Sequence, residues 1–162
     1  DFEEKRYPQQ VNAIIDKEEI SGKQRFSVLI VEDEAIILEM LSEMIKNMGF
    51  SAIPKQNPQK ALDYFKSAPE SVDIVMTDLS MPEMGGDKLA EEIFNISPDT
   101  PVIICSGFST KKYAEEANLR GPRIFLKKPI VSGVLSNTLK ELCEYLNKKN
   151  NKDAIGKLNN IP

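Results

Sequence analysis

The sequence predicts an α/β domain built around a five-stranded parallel sheet, because two kinds of segment alternate regularly along it. Five short apolar runs rich in β-branched residues have the length and composition of buried strands. They are FSVLIV (26–31), FSAI (50–53), VDIVMT (72–77), PVIIC (101–105) and RIFL (123–126). A segment with helical spacing follows each run. Strict alternation of this kind favours parallel strands joined by helices that cover both faces of the sheet.

The helical segments are recognised by apolar residues that recur every three or four positions. Glycines close two of them: Gly49 follows the first segment, and Gly121 follows the fourth, which has the weakest apolar stripe. The sequence therefore predicts five helices. Their apolar residues are Ile37, Met40, Leu41, Met44, Ile45 and Met48; Ala61, Leu62 and Phe65; Leu89, Ile93 and Phe94; Tyr113, Ala114 and Ala117; and Leu135, Leu139, Leu142, Cys143 and Leu146.

The chain has 162 residues, of which 41% are hydrophobic, and this is enough for one core. We assign residues 26–146 to that domain. Residues 1–25 are predicted to be a linker or a short helix from about Gln9 to Ile20, and residues 147–162 a polar C-terminal tail. No run approaches the roughly 20 apolar residues that span a bilayer, and the start does not resemble a secretory signal. We expect a cytoplasmic domain without membrane contact.

Composition excludes several kinds of function. The chain has no histidine, which removes the usual general base and the commonest metal ligand. Its two cysteines, in an apolar run and on a helical stripe, are interpreted as small core residues rather than a disulfide or metal framework. Residues 26–146 carry 12 basic and 18 acidic groups, and this negative balance argues against nucleic-acid binding. Carboxylates, hydroxyls and lysines are left to carry the chemistry.

Polar side chains follow four of the five predicted strands at the point where each strand ends. In a parallel α/β sheet, ligands bind outside the carboxyl ends of the strands, so these residues are expected to lie together. They are Glu32, Asp33 and Glu34 after the first strand, Asp78 after the third, Ser106 and Gly107 after the fourth, and Lys127, Lys128 and Pro129 after the fifth.

These groups suit phosphoryl chemistry. Carboxylates brought close together repel one another unless a cation lies among them, and oxygen ligands without His or Cys favour a hard ion such as Mg²⁺. A lysine and a hydroxyl at the neighbouring strand ends suit the oxygens of a phosphoryl group. Asp78 is then a candidate nucleophile that forms an aspartyl-phosphate.

Taken singly, each feature has an ordinary structural explanation. An acidic cluster before a helix complements the helix dipole, Ser-Gly is a turn, Met-Pro after Asp78 is common in turns, and a Lys pair is a solvated strand end. The functional interpretation depends on their occurring together, at successive strand ends in one order.

Together these segments resemble the receiver domain of two-component response regulators. VLIVEDE resembles its first strand and acidic pair, TDLSMPEMGG its phosphoacceptor segment, IICSGF its switch segment and IFLKKPI its last landmark. The resemblance covers residues 27–146, about three-quarters of the chain. It implies a flavodoxin-like, doubly wound five-stranded sheet of order 2-1-3-4-5 with five helices.

The resemblance also implies catalytic and switch roles. Asp78 would accept the phosphoryl group, Lys128 would bind it, and Ser106, where Thr is common, would follow it as the switch hydroxyl. Phe125 would be the switch aromatic residue. The proline after Lys128 implies a cis peptide bond at that junction.

A Mg²⁺ site is implied at the same place. Its ligands would be Glu32, Asp33, Asp78 and the backbone carbonyl of Ser80. Glu32 stands where Asp is commoner, and its extra methylene favours contact with the ion through water. Gly85 stands where a polar residue is usual, which is expected to loosen the loop.

The function implied is transfer of a phosphoryl group from a phosphohistidine to Asp78, followed by a conformational switch. The donor would be a histidine kinase domain in the same or another chain, and a histidine phosphotransfer protein would be the next partner. The domain itself would catalyse only its own phosphorylation and dephosphorylation. As a hypothesis, Phe108 shields the phosphoryl group from water. Homodimer formation stays open.

The start at Asp1 and the short stretch after residue 146, too short for a DNA-binding module, favour the receiver of a hybrid sensor histidine kinase. The phrases PVIICSGF and LAEEI point the same way. A stand-alone receiver is the second choice, and a pseudo-receiver that serves only as a docking module is the third. A hydrolase of the aspartyl-phosphate type is disfavoured, because it needs a second acid two residues after the nucleophile, where this chain has Ser80.

Overall fold

A computed structural model describes residues 25–107 and 121–159 and has a five-stranded sheet at its centre. The strands are β1 (Ser27–Val31), β2 (Ser51–Lys55), β3 (Ile74–Asp78), β4 (Val102–Ser106) and β5 (Arg123–Lys127). Their order across the sheet is β2-β1-β3-β4-β5, and every neighbouring pair is parallel. The predicted fold class and strand order are therefore confirmed.

Four α-helices lie in the described residues. They are α1 (Ala35–Asn47), α2 (Pro58–Ser67), α3 (Gly86–Ile96) and α4 (Ser132–Asn159), and a short 3₁₀ helix spans Pro69–Ser71. The helix predicted around Tyr113, the hypothesis on Phe108 and the segment 1–24 fall outside the described residues.

The last helix is longer than the sequence analysis predicted. The apolar stripe ends at Leu146, where we placed the start of a polar tail, but α4 continues to Asn159. No proline interrupts it, and the Nζ atom of Lys149 lies 2.5 Å from a carboxylate oxygen of Asp99, which ties this part of the helix to the loop before β4. Residues 150–153 are exposed, as expected for a solvated segment. The boundary at 146 thus falls inside one continuous helix.

Two apolar layers cover the two faces of the sheet, because successive residues of a buried strand point to opposite sides. On β1, Leu29 and Val31 join the layer formed with α2 and α3, whereas Val28 and Ile30 join the layer formed with α1 and α4. Both layers are made of buried side chains, against which partly buried apolar residues pack. Across the described ranges, no helix is both long enough and apolar enough to cross a bilayer.

Both cysteines are unpaired and pack as core or partly buried residues. Cys105 is buried in β4, and burial raises the pKa of its thiol to about 12. Cys143 is half-buried on α4, and burial raises the pKa of its thiol to about 11, with a further contribution from the charge of Asp73. The interpretation of the cysteines as small core residues agrees with these positions.

Candidate functional site at the carboxyl ends of the strands

The strand register brings three carboxylates together at the carboxyl edge of the sheet. Val31 pairs with Thr77, so the residues that follow them, Glu32 and Asp78, sit side by side on neighbouring strands. Carboxylate oxygens of Glu32, Asp33 and Asp78 all lie within 4.8 Å of one another. Glu32 is 1% exposed and Asp78 is 8% exposed, so two of the three carboxylates are almost removed from water.

Lys128 lies between the two buried carboxylates. Its Nζ atom is 2.9 Å from Oδ1 of Asp78 and 3.3 Å from Oε2 of Glu32. Lys127, the neighbour that precedes it, is exposed. The bond between Lys128 and Pro129 is cis, as the resemblance implied. The lysine that contacts the acidic cluster is thus the one directly before the proline.

The ionisation of this cluster follows from burial and from the charges around it. Burial raises the pKa of Glu32, although the Glu34 N–H, 3.2 Å from Oε1, and the Lys128 ammonium oppose this shift. Burial alone lowers the pKa of Lys128, but the hydrogen bond to Asp78 and the charges of Asp78 and Glu32 outweigh it, and the pKa is raised. Lys128 therefore remains protonated at neutral pH.

The cluster fits a hard divalent cation. It offers carboxylate oxygens and has no sulfur or imidazole ligand among Glu32, Asp33 and Asp78, a donor set that suits Mg²⁺. Among the described residues, Lys128 is the ammonium group that contacts this cluster, and it contacts two of the three carboxylates, so the ionised cluster keeps an excess of negative charge. A bound cation would offset the repulsion that Lys128 leaves uncompensated.

Ser106 ends β4 next to this cluster. It is buried, and its carbonyl oxygen accepts a hydrogen bond of 2.8 Å from the N–H of Lys128. Phe125 on β5 is half-buried and packs against the layer formed with α2 and α3. Ile104 belongs to the same layer, and strand alternation puts Ser106 on that side as well. The predicted switch hydroxyl and switch aromatic residue therefore share one face of the sheet.

The loop after Asp78 approaches the strand closely, and this explains its glycine pair. A Cβ atom at Gly86 would lie 2.2 Å from the carbonyl oxygen of Asp78, a distance that no side chain tolerates. A Cβ atom at Gly85 would lie 3.0 Å from the carbonyl oxygen of Leu79 and 2.7 Å from a carboxylate oxygen of Asp87. Both glycines thus fit a tightly folded loop, whereas the sequence analysis expected Gly85 to loosen it. Ser80 lies in this loop and is exposed.

Sequence reasoning missed two residues that contact the site. Gln56 and Asn57 directly follow β2, the one strand whose carboxyl end was passed over. The side chain of Gln56 donates a hydrogen bond of 2.9 Å to the carbonyl oxygen of Asp33, and that of Asn57 donates one of 3.4 Å to Glu83 in the loop after β3. The strand-end rule applied to β2 would have found both.

Comparison with known proteins agrees with this geometry. The family model described as response regulator receiver domain matches residues 28–140. The chain belongs to the receiver-domain family. Receiver domains act in two-component signalling, interact with histidine kinases or phosphotransfer proteins, and bind Mg²⁺ at an acidic cluster of the kind formed by Glu32, Asp33 and Asp78.

Relatives of this receiver domain occur in proteins of different architecture. The chemotaxis protein CheY of Thermotoga maritima is 34% identical over 63% of this chain and 84% of its own length. The uncharacterized transcriptional regulatory protein YesN of Bacillus subtilis is 33% identical over 76% of this chain. The sensor kinase CckA of Brucella abortus is 30% identical over 73% of this chain. The chain spans 34% of YesN and 12% of CckA, so it corresponds to one part of those longer proteins.

Solved structures share the fold. A response regulator receiver domain protein from Clostridium thermocellum superposes with a TM-score of 0.71 at 26% identity, over 75% of this chain and 97% of that one. The receiver domain of the hybrid histidine kinase CckA superposes with a TM-score of 0.61 at 22% identity, over 72% of this chain and 97% of that one. The second likeness bears on the fold alone.

Proposed function

We propose that Asp78 accepts a phosphoryl group from a phosphohistidine and that the domain switches conformation in response. The observation that carries the proposal is the contact of Lys128 Nζ with Asp78, at 2.9 Å, inside a cluster of three carboxylates. This contact puts a fixed positive charge beside the oxygen that would attack phosphorus. Asp78 is nearly buried, so that charge acts with little screening by water.

The phosphoryl transfer needs no reactant besides the phosphohistidine donor. A carboxylate oxygen of Asp78 forms a bond to phosphorus as the bond between phosphorus and the donor's imidazole nitrogen breaks. The nitrogen keeps the electron pair of the broken bond, and the product on this chain is an aspartyl-phosphate. Lys128 is suited to hold an oxygen of the phosphoryl group throughout, since its ammonium stays charged.

Glu32, Asp33, Asp78 and the backbone carbonyl of Ser80 are proposed to hold Mg²⁺. When bound, the ion supplies positive charge that offsets the repulsion between the carboxylates and the incoming phosphoryl oxygens. The 4.8 Å limit on the separations within the cluster supports the three side-chain ligands. The role proposed for Ser80 comes from the resemblance of TDLSMPEMGG to the phosphoacceptor segment of receiver domains.

The switch is proposed to involve Ser106 and Phe125. Ser106 carries the hydroxyl group at the end of β4, the strand that pairs with β3. Its side chain would move toward the phosphoryl group. Phe125 would turn inward on the face of the sheet that the two residues share. Such a response is a two-state equilibrium that one covalent group biases.

Intact mass measurement after incubation with acetyl phosphate and Mg²⁺ tests the proposal. The wild type is expected to gain one phosphoryl group, about 80 Da, and Asp78→Asn is expected to gain none. A parallel incubation in EDTA separates the metal requirement from the acceptor. Addition of the same mass to Asp78→Asn would show that another residue is the acceptor. If the wild type binds Mg²⁺ but gains no mass, the experiment is repeated with a phosphorylated histidine phosphotransfer protein in place of acetyl phosphate. Failure with both donors would reject the proposal and favour a docking module.

We further propose that the domain belongs to a hybrid histidine kinase and passes its phosphoryl group to a histidine phosphotransfer protein. The similarity to the sensor kinase CckA supports this context, while the similarity to YesN supports a transcriptional regulator as the alternative. The two unpaired cysteines agree with a cytoplasmic location. Loss of label from phosphorylated Asp78 on addition of such a protein, with label appearing on its histidine, is the expected result. Label that leaves only as inorganic phosphate would contradict the relay.

A further inference from the structure

We infer that Gln56 and Asn57 are positioning residues for the metal site, because they connect the two loops that carry its ligands. One loop follows β1 and carries Asp33; the other follows β3 and carries Ser80. The inference rests on the proposed Mg²⁺ site. It adds the residues that fix the position of one ligand-bearing loop relative to the other.

Each connection is a side-chain hydrogen bond that spans a long stretch of sequence. The Nε2 atom of Gln56 donates to the carbonyl oxygen of Asp33 at 2.9 Å. The Nδ2 atom of Asn57 donates to Oε2 of Glu83 at 3.4 Å. Within the short segment between β2 and α2, Gln56 thus binds the backbone of the loop after β1, and Asn57 binds the loop after β3.

Asn57 is fixed by a second bond. Its Oδ1 atom caps α2 by accepting a hydrogen bond of 3.0 Å from the N–H of Lys60. Because the carbonyl oxygen is used by the helix, the amide nitrogen is the atom that faces Glu83. The start of α2 therefore serves as a rigid anchor for the loop after β3.

Glu83 lies at the point of that loop where the backbone is strained. Its φ angle is 72°, in the left-handed region that residues other than glycine rarely adopt. The N–H of Met84 donates to the carbonyl oxygen of Pro82 at 2.8 Å, which closes a three-residue turn around Glu83. A conformation of this kind persists when surrounding contacts hold it, and the bond to Asn57 is such a contact. Ser80 lies three residues before Glu83.

Metal affinity is expected to depend on these bonds, since partners outside the ligand set orient the ligands and reduce the entropy lost on binding. The probe is Mn²⁺, an octahedral ion that takes the same oxygen ligands, followed by electron paramagnetic resonance. For Gln56→Ala we expect Mn²⁺ binding about 3- to 10-fold weaker, the range for loss of one hydrogen bond. Gln59→Ala is the matched control, because Gln59 is exposed nearby on α2 and its side chain contacts only Asp63 among the described bonds.

Variants at Asn57 separate positioning from charge. Asn57→Asp keeps the cap oxygen but sets a carboxylate against Glu83. A purely electrostatic effect of the added negative charge would tighten Mn²⁺ binding, whereas loss of the connection weakens it. The double variant Asn57→Asp, Glu83→Gln restores the bond with donor and acceptor exchanged and has the net charge of the wild type. We expect it to bind Mn²⁺ within about twofold of the wild type.

Thermal unfolding in EDTA is measured for every variant, so that a structural role is recognised. The inference requires weaker Mn²⁺ binding in Gln56→Ala and in Asn57→Asp, recovery in the double variant, and unfolding temperatures in EDTA that do not follow the affinities. It is overturned by affinities equal to that of Gln59→Ala, by tighter binding in Asn57→Asp, or by losses that track stability. A wild type that binds no Mn²⁺ rejects the proposed metal site itself, and the inference with it.

Discussion

Two aspartates at opposite ends of β3 illustrate how differently a fold can use the same side chain. Asp73 precedes the strand, and its Oδ2 atom accepts a hydrogen bond of 2.7 Å from the N–H of Ser27, the first residue of β1. The N–H of Asp73 in turn donates to the carbonyl oxygen of Ser27 at 3.0 Å. Asp78 ends the strand and faces Glu32, Asp33 and Lys128 instead.

The difference lies in what compensates each charge. A backbone N–H that joins two strands satisfies Asp73, so its carboxylate strengthens the fold. Asp78 is nearly buried beside two further carboxylates and shares one lysine with Glu32, an arrangement that burial and repulsion make unfavourable without a cation. The aspartate that lies among other carboxylates, Asp78, is therefore the candidate for a chemical role. Replacement of Asp73 should affect stability, and replacement of Asp78 should affect phosphorylation.

The largest effect is expected at the Asp78 end, from replacement of Lys128. Lys128→Met removes the only described ammonium contact of Asp78, so the rate of phosphoryl gain from acetyl phosphate should fall about 100-fold. Lys127→Met, which changes the exposed neighbour, is the control and should react at the wild-type rate. Mass spectrometry against time measures both rates. Equal rates for Lys128→Met and the wild type would remove Lys128 from the site.

The next effect is expected at the opposite end of the strand. Asp73→Asn weakens a charge-assisted hydrogen bond between strands and should lower the free energy of unfolding by about 1 kcal/mol. Urea unfolding with an unchanged m-value measures this loss. The variant should still gain a phosphoryl group on Asp78. Loss of phosphorylation in a folded Asp73→Asn protein would contradict the separation of the two aspartates.

A smaller effect concerns the pH dependence of stability. Burial raises the pKa of Glu32 above its ordinary value of 4.5, so the folded protein binds a proton there more readily than the unfolded chain. The stability associated with that proton is present below pH 4.5 and is lost as pH rises through the folded-state pKa. In EDTA, Glu32→Gln should therefore become more stable relative to the wild type as pH rises above 4.5, and the gain should level off above the folded-state pKa of Glu32.

Unfolding temperatures at several pH values measure this difference, and Glu34→Gln, which alters an exposed neighbour, is the control. A wild type that gains stability over Glu32→Gln as pH rises would mean that Lys128 dominates over burial at this position.

The framework of the fold could be predicted from the sequence because buried strands and amphipathic helices leave periodic patterns. The strand-end rule also pointed to Asp78 and Lys128. The helix beyond Leu146 could not be predicted, because a solvent-exposed helix has no apolar stripe. The need for glycine at position 86 could not be predicted either, because it arises from the close approach of this residue to the carbonyl oxygen of Asp78. The strand-end rule applied to β2 would have placed Gln56 at this edge of the sheet, but no local pattern records its bond to Asp33 across 23 residues.

The smallest predicted effect is on the thiol labelling rates of the two cysteines, which report on the two ends of β3. Burial raises the pKa of Cys143 to about 11, and the charge of Asp73 adds to the shift, so Asp73→Asn should lower that pKa and speed thiol labelling at pH 8 by about twofold. Asp78→Asn should leave the rate at Cys143 unchanged. Cys105 is buried, with a pKa of about 12, and reacts only when the structure opens. The expected loss of stability in Asp73→Asn speeds labelling of Cys105 as well, so the pH dependence of labelling separates the two causes. A lowered pKa of Cys143 shows that the charge of Asp73 acts locally, whereas faster labelling of both cysteines at an unchanged pKa of Cys143 shows loss of stability alone.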